Sequence, residues 1–150
     1  MTALKRSFLA AAISVISLWS VAGAIGVGIP FGLQGGPEVG VRLHFTDLYA
    51  LNAFVSFSAA GSQSDFVVNL DNIFYIAEEG NLKQYLAANI SSDFDRLLGT
   101  AGLYGLQYRF NDYLDVYGQL GLGLLFQEGA DTQVSTTRSG LGVIFYLVRE

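Results

Sequence analysis

Only a few side chains in this sequence could take part in acid–base or metal chemistry. His44 is the single histidine, and a histidine can act as a general acid or base near neutral pH. The chain has no cysteine, which excludes a disulfide framework and a thiolate metal site. We predict that His44 is a hydrogen-bonded interior residue, and we expect no catalytic residue, no metal site and no cofactor.

A larger group of polar side chains recurs at alternating positions along otherwise apolar segments. Alternation of this kind places residues on one face of a β-strand. These side chains either line a narrow polar path or form ion pairs that close it, depending on the strands that hold them. The group consists of Glu38, Arg42, His44, Asp71, Lys83, Gln107, Arg109, Asp115, Gln119 and Arg138.

The clearest of those strands form a hairpin between Leu103 and Phe126. On both sides of a turn at Asn111 and Asp112, apolar residues alternate with small or polar ones. Leu122 belongs to the apolar row, for example, and Gln119 belongs to the opposite row. The stretch therefore reads as two long antiparallel strands.

The same alternation along the rest of the chain predicts eight strands. The fifth is ambiguous, because Leu82, Tyr85, Leu86 and Ile90 also fit the spacing of an amphipathic helix. We favour a strand there, since a closed antiparallel barrel with both termini on one side needs an even strand count. The predicted fold is all-β, an eight-stranded antiparallel up-and-down β-barrel formed by residues 25–150. Its strands cover residues 25–33, 38–45, 49–58, 65–76, 82–90, the two arms of the 103–126 hairpin, and about 135–148.

Composition indicates which face of the strands is outside. A soluble barrel turns its apolar row inward, but charged residues make up only 14% of the chain, too few to cover its surface. The inverse arrangement places the apolar row against lipid and the polar group inside, where eight strands leave room only for side chains. We therefore predict a transmembrane barrel with a largely plugged polar lumen. Its lipid-facing residues include Val41, Leu43, Val55, Leu106, Leu120, Leu122, Leu124, Val143 and Phe145.

Residues 1–24 have the features of a secretory signal peptide. Lys5 and Arg6 precede an apolar run from Phe8 to Val21, and Ala22–Ala24 supplies small residues for cleavage. A retained membrane anchor is the alternative, because the weakly polar stretch is long enough to span a bilayer. We favour cleavage, since the glycines and the proline that follow are poor residues for continuing a helix.

Beside these features, the chain has tight turns at Thr46 and Asn111 and the segment GLQYRFNDYLDVYGQLGLG. Together they resemble the small bacterial outer-membrane β-barrel proteins of the OmpA and OmpX type. The resemblance covers residues 25–150 and implies insertion by the barrel-assembly machinery, with both termini and the tight turns in the periplasm. Such chains usually end on an aromatic residue, whereas this one ends on Glu150.

The triplet His44, Phe45, Thr46 is similar to the H-x-S of outer-membrane lipid A deacylases. Those enzymes act in the outer leaflet, whereas the topology above places His44 beside a periplasmic turn. This difference favours a structural histidine over a catalytic one.

We therefore predict a monomeric, non-enzymatic integral protein of the bacterial outer membrane with a structural or surface-interaction role. Its partners would be outer-membrane lipids and, during insertion, the assembly machinery. The main alternative is a soluble periplasmic barrel that carries a lipid or other apolar ligand, followed by a lipid-modifying enzyme or a narrow channel. A nucleic-acid partner is disfavoured, because the formal net charge is −5 and the eight basic residues are scattered.

Overall fold

The structure, a computed structural model, describes residues 23–32, 38–60, 63–95, 97–127, 129, 131–136 and 138–149. Nearly all of the predicted signal peptide lies outside these residues. Within the described part of the chain, no helix is long and apolar enough to cross a membrane.

The described residues form an antiparallel β-barrel. Strands β1 to β7 pair in chain order, and β9 pairs with both β7 and β1, which closes the sheet. The predicted all-β, eight-stranded antiparallel barrel is thereby confirmed, and a strand occupies the segment for which a helix was the alternative. The strands are β1 (Ala24–Gly32), β2 (Glu38–Thr46), β3 (Tyr49–Ala60), β4 (Gln63–Glu79), β5 (Leu82–Ser92), β6 (Leu97–Asn111), β7 (Leu114–Gln127), β8 (Gln133–Ser135) and β9 (Gly140–Arg149).

The eighth position of the barrel is divided, so the prediction of one continuous strand from Ser135 to Val148 was wrong. The short β8 pairs Ser135 with Gly123 of β7, whereas β9 pairs Gly140 with Gln119. The chain therefore has four residues between Ser135 and Gly140 but only three between Gly123 and Gln119. This is the count of a β-bulge, and it shifts the side-chain alternation by one. As a result Val134 points outward and is 72% exposed, where an unbroken strand would have turned it inward.

Tight two-residue turns define one end of the barrel, here called the turn end; the opposite end is called the loop end. The turns are 47–48, 80–81 and 112–113. Side chains cap two of them, because Thr46 Oγ1 accepts the Leu48 N–H at 3.2 Å and Asn111 Oδ1 accepts the Tyr113 N–H at 2.8 Å. In the third turn Gly80 has a φ of 58°, a value that favours glycine. Residues near both termini also pair at the turn end.

Inside the barrel, large rings lie against glycines of neighbouring strands. A Cβ added to Gly105 would overlap the ring of Tyr85, and one added to Gly28 would lie 2.6 Å from a ring carbon of Phe54. Tyr117 occupies the space beside Gly142 in the same way. Eight strands enclose an interior just wide enough for side chains, so each ring needs a residue without a side chain opposite it.

Candidate functional site

The barrel interior collects the predicted polar group. Arg42, Asp71 and Asp115 have no exposed surface, and Gln107 is 2% exposed. The other members lie on the same inward rows, with those near the barrel ends partly exposed. Inward acidic and basic side chains are similar in number, which allows their charges to compensate within the lumen. Its members come from β2, β4, β5, β6, β7 and the segment between β8 and β9, so the cluster exists only in the closed barrel.

Arg138 closes the loop end of the lumen. Its Nη1 donates to both carboxylate oxygens of Glu38, at 2.7 and 2.6 Å, and its Nη2 donates to Asp71 Oδ2 at 3.0 Å. An arginine guanidinium is not deprotonated in proteins. The guanidinium is therefore a permanent cation between two anions.

The carboxylate of Asp71 accepts hydrogen bonds from several side chains. Asn89 Nδ2 donates to Oδ1 at 2.7 Å, and Asn52 Nδ2 donates to Oδ2 at 3.1 Å. With Arg138, three donors from three different strands or turns converge on one buried carboxylate. Such full satisfaction is what a buried charge requires.

Arg42 crosses the middle of the lumen and is held by neutral groups. Its Nε donates to Asn52 Oδ1 at 2.6 Å, its Nη1 donates to Gln107 Oε1 at 2.5 Å, and its guanidinium carbon lies 4.8 Å from the centre of the Tyr117 ring. The carboxylates of Asp71 and Asp115 each accept a hydrogen bond from one of these amides. The cation is thus stabilised by amide dipoles and an aromatic face, which together block the lumen at this level.

Toward the turn end, His44 is bound by aromatic residues. Its Nε2 lies 2.8 Å from the hydroxyl of Tyr146, and its ring stacks on Tyr75 with centroids 5.7 Å apart. Thr46 Oγ1, two residues along, accepts the backbone N–H of Leu48 in the turn. His44 therefore lies in the hydrogen-bonded lumen environment that the sequence suggested for it.

Two cavities lie in the lumen among the described residues. A cavity of about 290 Å³ opens at the turn end and is lined by His44, Lys83, Gln107 and Arg109, among others. At the loop end, the space beside Glu38 and Arg138 measures only about 10 Å³. The layer of Arg42, Gln107 and the tyrosines lies between them. The larger cavity, here called the vestibule, opens at the turn end.

Sequence reasoning missed several residues that complete this interior. The amide of Asn52 bridges Arg42 and Asp71, and that of Asn89 donates to Asp71. The tyrosine hydroxyls of residues 75, 85 and 146 bond to Gln107, Gln119 and His44. All of them stand on the inward rows of alternating strands. The alternation itself was the signal that could have found them, since Tyr117 stands between Asp115 and Gln119.

The outward row carries large apolar side chains. Of the predicted lipid-facing residues, Leu106, Leu120, Leu122, Leu124 and Phe145 are 40% to 70% exposed, and Val41, Val55 and Val143 are half-buried. Leu43 lies on the same row, opposite Ile25 and Leu51, but only 1% of its surface is exposed. Leu43 thus adds nothing to the exposed apolar face.

Among the described residues, no group of three or more His, Asp or Glu side chains is placed to hold a metal ion. Comparison of the chain with protein-family models, with curated proteins and with solved structures found no match. The likeness to OmpA-type and OmpX-type proteins therefore stays a prediction from the sequence pattern. Any functional conclusion depends on the geometry of the barrel.

Proposed function

We propose that this chain is an integral β-barrel protein of the bacterial outer membrane with a structural or surface-interaction role. The observation that carries the proposal is the inverted distribution of its side chains. Charged side chains fill the lumen, whereas among the described side chains the outward rows of the strands carry no charge except Glu79 at the last position of β4. Water-soluble proteins rarely expose continuous apolar surface of this extent.

The dimensions of the outward row support the same proposal. From Val116 to Phe126 the row covers about ten residue steps, which project to about 25 Å at the usual rise and tilt of barrel strands. Exposed aromatic residues lie near each end of this band. Phe110 and Tyr113 lie at the turn end, and Phe31 and Phe66 toward the loop end. Two aromatic belts at such a separation match the two interfaces of a bilayer.

The interior supports a plugged barrel over a channel or a carrier. Its centre is occupied by Arg42, Tyr117 and their partners, and the only described space of useful size is at the turn end. An apolar ligand would have to displace a network of buried, hydrogen-bonded charges, which is energetically costly. We therefore assign the lumen a structural role, and we place the tight turns and both termini in the periplasm.

Cell fractionation tests the proposal. The full chain expressed in a Gram-negative host should be recovered with the outer membrane, and unboiled protein should migrate on a gel as a compact species that shifts on heating. Recovery in the soluble fraction after osmotic shock would contradict the membrane assignment and would favour the soluble carrier. For the enzymatic alternative, loss of a measured lipid change in the host envelope on His44→Ala substitution would overturn the structural role of His44.

A further inference from the structure

The vestibule at the turn end is the one described cavity in the lumen with room for a small ligand. Its volume is about 290 Å³, and its polar wall contains Lys83, Arg109, His44 and Gln107. One carboxylate, that of the exposed turn residue Asp47, also reaches its mouth. The wall is therefore richer in hydrogen-bond donors than in acceptors.

Arg109 supplies a donor that the protein leaves unused. Its Nε is buried and has no hydrogen-bond partner among the residues that the structure describes. The cross-strand partner of Arg109 is Asp115, whose carboxylate is fully buried and accepts a hydrogen bond from Gln107 Nε2. A buried N–H without an acceptor is costly, and Arg109 also lines the vestibule, where an anion can supply that acceptor.

Lys83 supplies a second cation with donors to spare. Its Nζ lies 3.0 Å from Glu78 Oε2 and 5.2 Å from the centre of the Tyr75 ring. An ammonium group has three N–H donors, and this contact with Glu78 uses one of them. The Glu78 side chain is 50% exposed, so solvent screens its interaction with Lys83. An anion inside the less exposed vestibule would meet weaker competition.

A third cation lies behind the vestibule wall. The amide of Gln107, which lines the cavity, is bonded on its inner side to Arg42 Nη1. Arg42 is completely buried, and its contacts with Asn52, Gln107 and Tyr117 are all with neutral side chains. Only the Gln107 amide separates Arg42 from the vestibule, so its charge adds positive potential there, opposed by the Asp115 carboxylate bonded to the same amide.

From these observations we propose that the turn-end vestibule binds a small oxyanion, a carboxylate or a phosphate. Guanidinium and ammonium groups recognise such anions by charge-assisted hydrogen bonds, and here one of each lines a single pocket. The His44 ring adds a further polar group to the wall. This inference goes beyond the proposed function and does not depend on the barrel lying in a membrane.

The test is a titration of the purified full chain in a non-ionic detergent. Sodium phosphate and sodium acetate are added at constant ionic strength, with sodium chloride as the reference, and the amide and arginine Nε–H signals are followed by NMR. Saturable shifts are expected for Arg109 Nε–H and for the backbone of Gly23 and His44, with no such saturation in chloride. An equal response to chloride would show ionic screening alone and would overturn the proposal.

Substitutions test the assignment of the donors. Lys83→Gln and Arg109→Gln should each weaken binding at least about tenfold, because each removes a charge-assisted bond. Lys83→Arg should retain binding, and Asp112→Asn, at the same end but outside the vestibule, should leave it unchanged. Far-UV circular dichroism and heat-modifiable migration check that each variant is folded. If the folded Lys83→Gln and Arg109→Gln variants both bind the anion as tightly as the parent protein does, the assignment of the site to these residues is wrong.

A second arm distinguishes the source of the anion. The same signals are followed when phosphatidylglycerol is added to the detergent in place of free phosphate. Shifts with both compounds, or with the lipid alone, assign the vestibule to oxyanions that include a lipid headgroup. Shifts with free phosphate or acetate alone assign it to a soluble anion. The absence of shifts with every compound would refute oxyanion binding.

Discussion

The hydroxyl of Ser139 makes the hydrogen bonds to the Gly121 backbone that a residue of a neighbouring strand would otherwise make. The Gly121 N–H donates to Ser139 Oγ at 2.9 Å, and the Ser139 hydroxyl lies 3.3 Å from the Gly121 carbonyl oxygen, to which it donates. Gly121 lies where β7 changes partner from β9 to β8, so no backbone group of either strand faces it. The Ser139 side chain therefore satisfies the Gly121 N–H and carbonyl at the bulge.

Removal of that hydroxyl should weaken the barrel. Ser139→Ala leaves a buried N–H and a buried carbonyl without partners, and we expect a loss of about 1–3 kcal/mol in the free energy of unfolding. Urea titration of the refolded protein, followed by circular dichroism, measures it. Thr100→Ala, at an exposed hydroxyl on the outward row, is the control and should change the free energy by less than about 0.5 kcal/mol. Equal midpoints for the two variants would contradict the role of Ser139.

The ion pairs of Arg138 should contribute far more to the free energy of unfolding than the ion pair at the turn end. Arg138→Met leaves the buried carboxylates of Glu38 and Asp71 without their cation, and we expect a loss of about 3–5 kcal/mol in the free energy of unfolding. Disrupting the half-exposed pair of Lys83 and Glu78 should cost less than about 1 kcal/mol. In a double-mutant cycle, adding Glu38→Gln to Arg138→Met should cost less than the sum of the single changes. Strict additivity would show that the pair is not coupled.

Glycines beneath the interior rings should not accept a methyl group. A Cβ at Gly40 would overlap the backbone oxygen of Ala53 and lie 2.5 Å from a ring carbon of Phe54, so Gly40→Ala should cost at least about 1–3 kcal/mol or prevent refolding. Gly102, on the outward face, has no atom within 4 Å of an added Cβ. Gly102→Ala should therefore leave the unfolding midpoint close to that of the parent, and a similar effect at both positions would argue against the packing described.

A charge on the outward row should separate a membrane barrel from a soluble one. Leu122 is 64% exposed in the middle of the apolar band, and Leu122→Lys should cost about 2–4 kcal/mol in a bilayer. In a soluble barrel the same surface change should stay within about 0.5 kcal/mol. Leu48→Lys, at a turn residue that is 68% exposed, is the matched control and should be tolerated in both cases. Folding into lipid vesicles gives the measurement.

A plugged lumen predicts that the protein does not conduct ions across a bilayer. Purified protein added to a planar bilayer should give no conductance above background, because the Arg42 layer separates the vestibule from the loop end. Arg138→Met alone should stay silent, since it leaves that layer in place. Steady conductance from the parent protein would show that the interior opens.

Much of the barrel could be predicted from the sequence because strand alternation is a local property. Each inward or outward position follows from its neighbours two residues away, which is why Gln107 and Leu106 were assigned to opposite faces correctly. The bulge was not predicted, because the Ser-Thr-rich stretch 135–139 gives no apolar row against which a one-residue shift could be seen.

The partners inside the lumen were beyond prediction for a different reason. Arg42 and Gln107 are 65 residues apart, and Arg138 and Glu38 are 100 residues apart. Which inward side chains meet depends on how the strands are staggered around the closed barrel, a global quantity that local alternation does not contain. The charged group could therefore be named, but its pairing into an Arg138 cluster and an amide-bound Arg42 could not.

The bulge before β9 also marks where the chain can change in length. Deletion of Thr136 would leave three residues opposite three, so the ladder from Ser135 to Gly140 would become regular while β9 kept its register on β1 and β7. The same deletion within β9 would exchange its lumen and outer faces. Single-residue gaps among relatives of this protein should therefore fall in this segment, whereas β9 should vary in composition and keep its length.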